Sequence, residues 1–133
     1  MREILFRGKD VNSNKWRIGY FYTAVQGCVA IIGDGVDGYQ VKPETVGQYT
    51  GLTDKNGVEI FKNDIVKVID ENCQLDIMLV GFEHGSFFLY SKNGYVRDMT
   101  LWDAWYNDYT LEIVGNLHEN PELLKGEQEN GRS

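Results

Sequence analysis

His84 and His118 are the two imidazoles of this 133-residue chain, so a hydrolytic triad would have to take one of them as its base. His84 sits in "EHGS", where His-Gly suits a hairpin turn and points the ring to solvent. His118 sits in "NLHENP", leading into a short helical turn, and reads as a surface residue beside a cap. Cys28 and Cys73 lie far apart, with no C-x-x-C or H-x-x-x-H pair near them, so neither a metal site nor a cofactor is expected. In a chain without a secretory signal, two lone cysteines are expected to stay reduced and buried. Asp98, Asp103 and Asp108 alternate with Trp102, Trp105 and Tyr106, which raises the chemistry of glycosidases and sugar grooves. Carboxylates at i and i+5 do not share a helix face, so the aromatics are expected to pack a helix onto the sheet, with the aspartates solvated. "GDGVDG" lacks both the Lys-Ser/Thr pair and the following helix of a phosphate-binding loop.

The elements that would position these residues read as strands. Ile4 to Lys9 and Lys15 to Thr23 are rich in β-formers and flank "DVNSN", an opening hairpin. In its second strand Trp16, Ile18, Tyr20 and Tyr22 fall on one face and Arg17, Gly19 and Phe21 on the other. Burial of the first set and part of the second is expected. "CVAIIG" follows as a strand and "DGVDG" as a loop. Val46 to Tyr49 and Glu59 to Phe61 flank "DKNGV", whose Asn56-Gly57 predicts a type I′ turn with both residues at positive φ. A second tight turn at Asn63-Asp64 leads into "IVKVID", with "QLDIMLVGFE" and "SFFLYS" after it. Turns are expected at Glu71-Asn72, His84-Gly85 and Asn93-Gly94, and "LEIVGNL" would close the sheet. Leu101, Trp105 and Tyr109 recur at helical spacing behind a Thr100 cap, and Asn120-Pro121 opens one further helical turn.

Composition narrows the classes of partner. The chain is 42% hydrophobic, 25% charged and carries a net charge of -7. Residues 1 to 49 hold six Lys/Arg against five Asp/Glu, and the remainder seven against fifteen, so the parts carry +1 and -8. Nucleic-acid affinity rests on phosphate neutralisation, so a general DNA or RNA binder is not expected. The local exception is the first hairpin, where Arg2, Arg7, Lys9, Lys15 and Arg17 gather. No apolar run reaches the ~20 residues of a spanning helix, and "MREILFRGKD" lacks the apolar stretch of a signal peptide. A soluble, cytoplasmic protein without membrane contact is expected.

"REILFRGK", the Trp16-x-x-Gly19-Tyr20 spacing, "ETVGQYTGLTDKNGVEIFKNDIV" and "IVGNLHENPELL" together resemble the YopX family of phage proteins, from Arg2 to about Leu124. One departure is Asn63, where relatives commonly carry Gly; Asn also tolerates the left-handed conformation. The resemblance implies a phage- or prophage-encoded protein acting in the bacterial cytoplasm, with a mainly β structure. It implies no reaction and carries over no catalytic residue.

The expected fold is mainly β: an N-terminal β-lobe over residues 1–49, packed on a small SH3-like barrel over 50–124 with a short C-terminal helical turn, then a frayed tail over 125–133. Ile65, Val68, Ile77, Leu79, Phe87, Leu89, Ile113 and Leu117 are its expected core. The expected function is that of a non-enzymatic accessory protein acting through protein contacts, with itself as a homo-oligomer or with a host or phage protein. Trp16, Tyr20, Tyr22, Trp102 and Trp105 are the candidate surface, because three Trp, eight Tyr and six Phe exceed what so small a core readily hides. Asn56, Gly57, Asn63 and Asp64 are expected to be structural turn residues. The alternatives are a nucleic-acid-binding β-barrel using the first hairpin, and a hydrolase of unrecognised type using Asp64 or His84.

Overall fold

The computed structural model describes residues 4–24, 29–33, 37–91 and 96–124. Cys28, part of the "DGVDG" loop, Asn93-Gly94 and the 125–133 tail lie outside them. The chain is mainly antiparallel β and divides into two units, Met1–Gly51 and Leu52–Ser133.

In the first unit β1 (Phe6–Lys9), β2 (Trp16–Ala24), β3 (Val29–Gly33), β4 (Gly38–Gln40) and the start of β5 (Gly47–Thr53) lie in the order β4-β3-β2-β1-β5. The turn between β1 and β2 is organised by Asp10, whose Oδ1 accepts the Asn12 and Ser13 N–H groups. Its Oδ2 holds Arg17 at 3.0 Å. Phe21 stands opposite Ile32, and Ile32 opposite Tyr39, so these side chains share one face. That face carries the core of Ala30, Ile32 and Val41, with Phe6 and Val46 against it. The expectation for β2 is therefore reversed. Ile18, Tyr20 and Tyr22 point away from the core and are exposed, while the face shared by Gly19 and Phe21 is the one that packs.

In the second unit the end of β5 turns back onto β6 (Glu59–Phe61), and β7 (Asp64–Ile69), β8 (Leu75–Glu83), β9 (Ser86–Ser91), β10 (Val96–Thr100) and β11 (Thr110–Asn116) form a sheet ordered β10-β9-β8-β7-β11. The helix α1 (Leu101–Tyr106) separates the last two strands, an arrangement compatible with a small SH3-like barrel. Residues 122–124 form a helical turn after Asn120 and Pro121. The core joins Ile60, Val66, Val68, Met78, Val80, Phe87, Leu89 and Leu111 with Leu101 and Ala104 of α1. Met78 and Val80 are buried and Ile77 and Leu79 only half so, which corrects the expected core by one residue along β8. Both faces of β8 are apolar there, so alternation alone could not choose between them.

The turns also differ from expectation. Gly57 has φ +81°, but Asn56 is not left-handed, so Asn56-Gly57 is not the centre of a type I′ turn. Instead Asp54 gathers the loop: its carbonyl accepts the Gly57 N–H, and its Oδ1 accepts those of Asn56 and Val58 at 2.9 Å. Among the described residues, the two-residue turn with both φ positive is His84-Gly85, between β8 and β9. Asn63 takes φ +75°, and Asp64 beside it, buried, accepts the Phe61 N–H at 2.8 Å. Cys73 is exposed at φ +64° in the turn after β7, not buried as expected.

Candidate interaction site

Asp103 donates its N–H to the Thr100 hydroxyl at 3.0 Å, which starts α1 at Leu101. Six residues give the helix room for one buried stripe, and the residues it buries are Leu101 and Ala104. The small Ala104 lets the helix backbone approach the sheet. Trp105 stands one step round the helix and is left outside, so the expectation that these aromatics pack α1 onto the sheet is overturned. Trp102 is 54% exposed, Trp105 43% and Tyr106 68%. They stack on one another instead, with the Trp102 ring 5.2 Å from Trp105 and 5.8 Å from Tyr106.

Beside this stack lies an open cleft of about 490 Å³, walled by Trp105, Tyr106 and Tyr109 and by Thr53, Asp54 and Lys55. Its surroundings are acidic. Asp103 and Asp108 are exposed, and Asp108 is left-handed at φ +61°. A hydrogen bond to Glu71 comes first in raising the Tyr109 hydroxyl above its ordinary pKa, followed by burial and by the charges of Glu71, Asp70 and Asp98. Asp54 is not a free acid at the cleft. Burial pushes its pKa up, but the N–H groups of Ile113, Val58 and Asn56 outweigh this and hold it below the ordinary carboxylate value. Lys55 pairs with Glu112 at 3.5 Å, and Lys67 reaches the same carboxylate at 3.1 Å. These ammonium groups, the Lys67 hydrogen bond first, lower the Glu112 pKa.

The first unit carries a second aromatic surface. Arg7 stands opposite Ile18 and Lys9 opposite Trp16, so these four side chains share the face that leaves Tyr20 and Tyr22 exposed. The Arg7 guanidinium lies 4.7 Å and the Lys9 ammonium 5.6 Å from the Trp16 ring centre. Arg17 is on the opposite face, 3.8 Å over Tyr39 and paired with Asp10. The sequence-predicted surface thus falls into two groups, Trp16, Tyr20 and Tyr22 in one unit and Trp102 and Trp105 in the other. Tyr106, absent from that prediction, is the most exposed of the α1 stack; its place two residues before Asp108, at the helix end, was the available signal.

Of the residues with chemistry to offer, His118 lies near Asp64, touching the neighbouring Asn63, and His84 sits at a different turn. His84 is at the exposed β8–β9 turn, His118 lies 3.4 Å from the Asn63 side-chain nitrogen, and Asp64 is held by Phe61. Among the described residues no group of three or more His, Cys, Asp or Glu is placed to hold a metal ion. Among them, too, no helix is long and apolar enough to cross a membrane.

The sequence matches the family model described as YopX protein over residues 5–125. No curated protein matches it. Among solved structures, the fold is similar to the crystal structure of protein EF1440 from Enterococcus faecalis. That likeness has a TM-score of 0.57 at 25% identity and covers 93% of this chain and 99% of the other.

Proposed function

Starting from the match over residues 5–125, by which this chain belongs to the YopX family, we propose that it is a phage- or prophage-encoded accessory protein. It works in the bacterial cytoplasm through protein contacts rather than by catalysis. The observation that carries the reading is the exposed stack of Trp102, Trp105 and Tyr106 on α1. Trp and Tyr are the side chains that most often anchor protein interfaces, because each buries a large rigid area at little entropic cost. Three of them held together by a capped helix form a preorganised patch, and the cleft beside Trp105 offers the concave ground an anchor residue needs.

A photo-crosslinking amino acid at position 106, with a second at the exposed Val114 as background, tests this in bacteria that make the protein. Discrete protein adducts from 106 and not from 114 are the expected result. Labelling from 106 no greater than from 114 overturns the reading.

A further inference from the structure

We infer that the cleft beside α1 receives an arginine side chain from a basic segment of the partner protein, the guanidinium lying against its rings and facing its carboxylates. This rests on the protein-contact reading above and names the chemistry of the partner.

The cleft lies wholly within the second unit, and three of the side chains that line it are aromatic, Trp105, Tyr106 and Tyr109. At about 490 Å³ it falls in the ~300–1,000 Å³ range of ligand clefts, which leaves room for a long side chain with its flanking backbone. Trp102 is not part of the lining. It stacks with Trp105 at 5.2 Å and with Tyr106 at 5.8 Å, and so steadies both rings from outside. The Tyr109 side chain packs on the core, and its hydroxyl is bonded to Glu71. Ring faces fixed before binding carry little ordering cost. They attract cations through their quadrupole, Arg above Lys because a planar, weakly hydrated guanidinium stacks flat.

Charge decides which occupant the rings take. Lys55 is the cation among the lining residues, and with Lys67 it shares the Glu112 carboxylate, at 3.5 and 3.1 Å, so the trio carries one net positive charge. Against it stand six carboxylates. Asp54 and Asp108 line the cleft, Asp103 is exposed on α1, and Asp70, Glu71 and Asp98 act on the Tyr109 hydroxyl by hydrogen bond or charge. Asp54 is occupied by the backbone N–H groups of Asn56, Val58 and Ile113, and Asp70 by those of Asn72 and Gln74, yet both keep their charge. Arg97, next to Asp98 on β10, is paired with Glu83 at 3.2 Å. Among the described residues no cation pairs with the side chain of Asp103 or Asp108. An anionic ligand is therefore repelled, and a neutral one leaves the field unused. A guanidinium answers both the rings and the carboxylates.

Fluorescence anisotropy tests this, with the full chain titrated into a dye-labelled peptide of arginines spaced by glycine and serine. Lysine, citrulline and glutamate peptides of the same pattern are compared, and free spermidine is added as a competitor. The arginine peptide is expected to bind with a Kd below ~1 mM, more weakly as salt rises from ~50 to ~500 mM. The lysine peptide is expected to bind less well, and the citrulline and glutamate peptides not at all. Trp105→Ala keeps every charge and is expected to weaken binding about tenfold. Asp108→Asn is expected to weaken it about threefold, its left-handed φ of +61° suiting either residue. Glu122→Gln, exposed and outside the lining, is expected to bind as wild type. Circular dichroism checks folding, and Tyr106→Ala replaces Trp105→Ala should that variant unfold. The inference is overturned by no binding at ~1 mM, by a citrulline peptide that binds equally, or by spermidine that displaces the peptide at equal concentration. It is overturned too if Trp105→Ala binds as wild type, or if Glu122→Gln weakens binding as much as Asp108→Asn. Should it fall while position 106 still crosslinks above background, the protein-contact reading stands and the partner's anchor is not cationic.

Discussion

Gly57 holds its φ of +81° with no neighbouring atom within 4 Å of where a side chain would begin, so a substitution there meets torsional strain and nothing else. Gly57→Val is expected to cost roughly 1–2 kcal/mol, the penalty of a left-handed L-residue, seen as a lower urea midpoint at unchanged m-value. Asp54 is the opposite kind of residue, since its whole effect lies in what it touches. Its carboxylate accepts the N–H groups of Asn56, Val58 and, 59 residues away, Ile113 at 3.1 Å. Because these donors hold its folded pKa below its unfolded value, the stability it contributes is full above about pH 4 and is lost as pH falls through the folded pKa. Asp54→Asn is expected to destabilise by about 1–3 kcal/mol near pH 7 and to differ less from wild type as acid protonates Asp54; urea midpoints across pH check it.

At the scale of elements, α1 depends on its first turn, because six residues cannot sustain a helix without a cap. Thr100→Ala removes the hydroxyl that accepts the Asp103 N–H, and a loss of about 0.5–2 kcal/mol is expected in thermal denaturation. Tryptophan fluorescence should shift with it, since the stacked indoles ride on this helix. The helix was legible in the sequence from the Thr100 cap, although of the spaced Leu101, Trp105 and Tyr109 it buries only Leu101; the β character of β7, β8 and β9 was legible too. Which face each strand buries was less legible. β2 is apolar on both sides, and β8 offers Ile77 and Leu79 as readily as Met78 and Val80. The strands β4 and β10 went unrecognised because "GYQ" and "VRDMT" carry no alternating apolar signal. The α1 aromatics were identified as a candidate surface by their number alone. Their stacking depends on Ala104 seating the helix, which spacing does not reveal.

The whole molecule separates charge along its length, +1 over residues 1 to 49 and -8 over the rest. That asymmetry was fully legible and opposes binding to a polyanion, even though Arg7 and Lys9 share a face with Trp16. No binding of duplex DNA tighter than about micromolar is expected at ~150 mM salt, and a mobility-shift titration checks it. Chain order in the second unit has a consequence for synthesis. β7 pairs with β8 soon after both are made, but its other edge is filled by β11, Thr110–Asn116, the last strand among the described residues of the unit. Until that segment leaves the ribosome, β7 offers an open row of amides and carbonyls, and Asp54 waits for the Ile113 donor. A nascent chain stalled before residue 110 is therefore a template for any extended strand, and its quality control turns on whether β11 or a stranger arrives first.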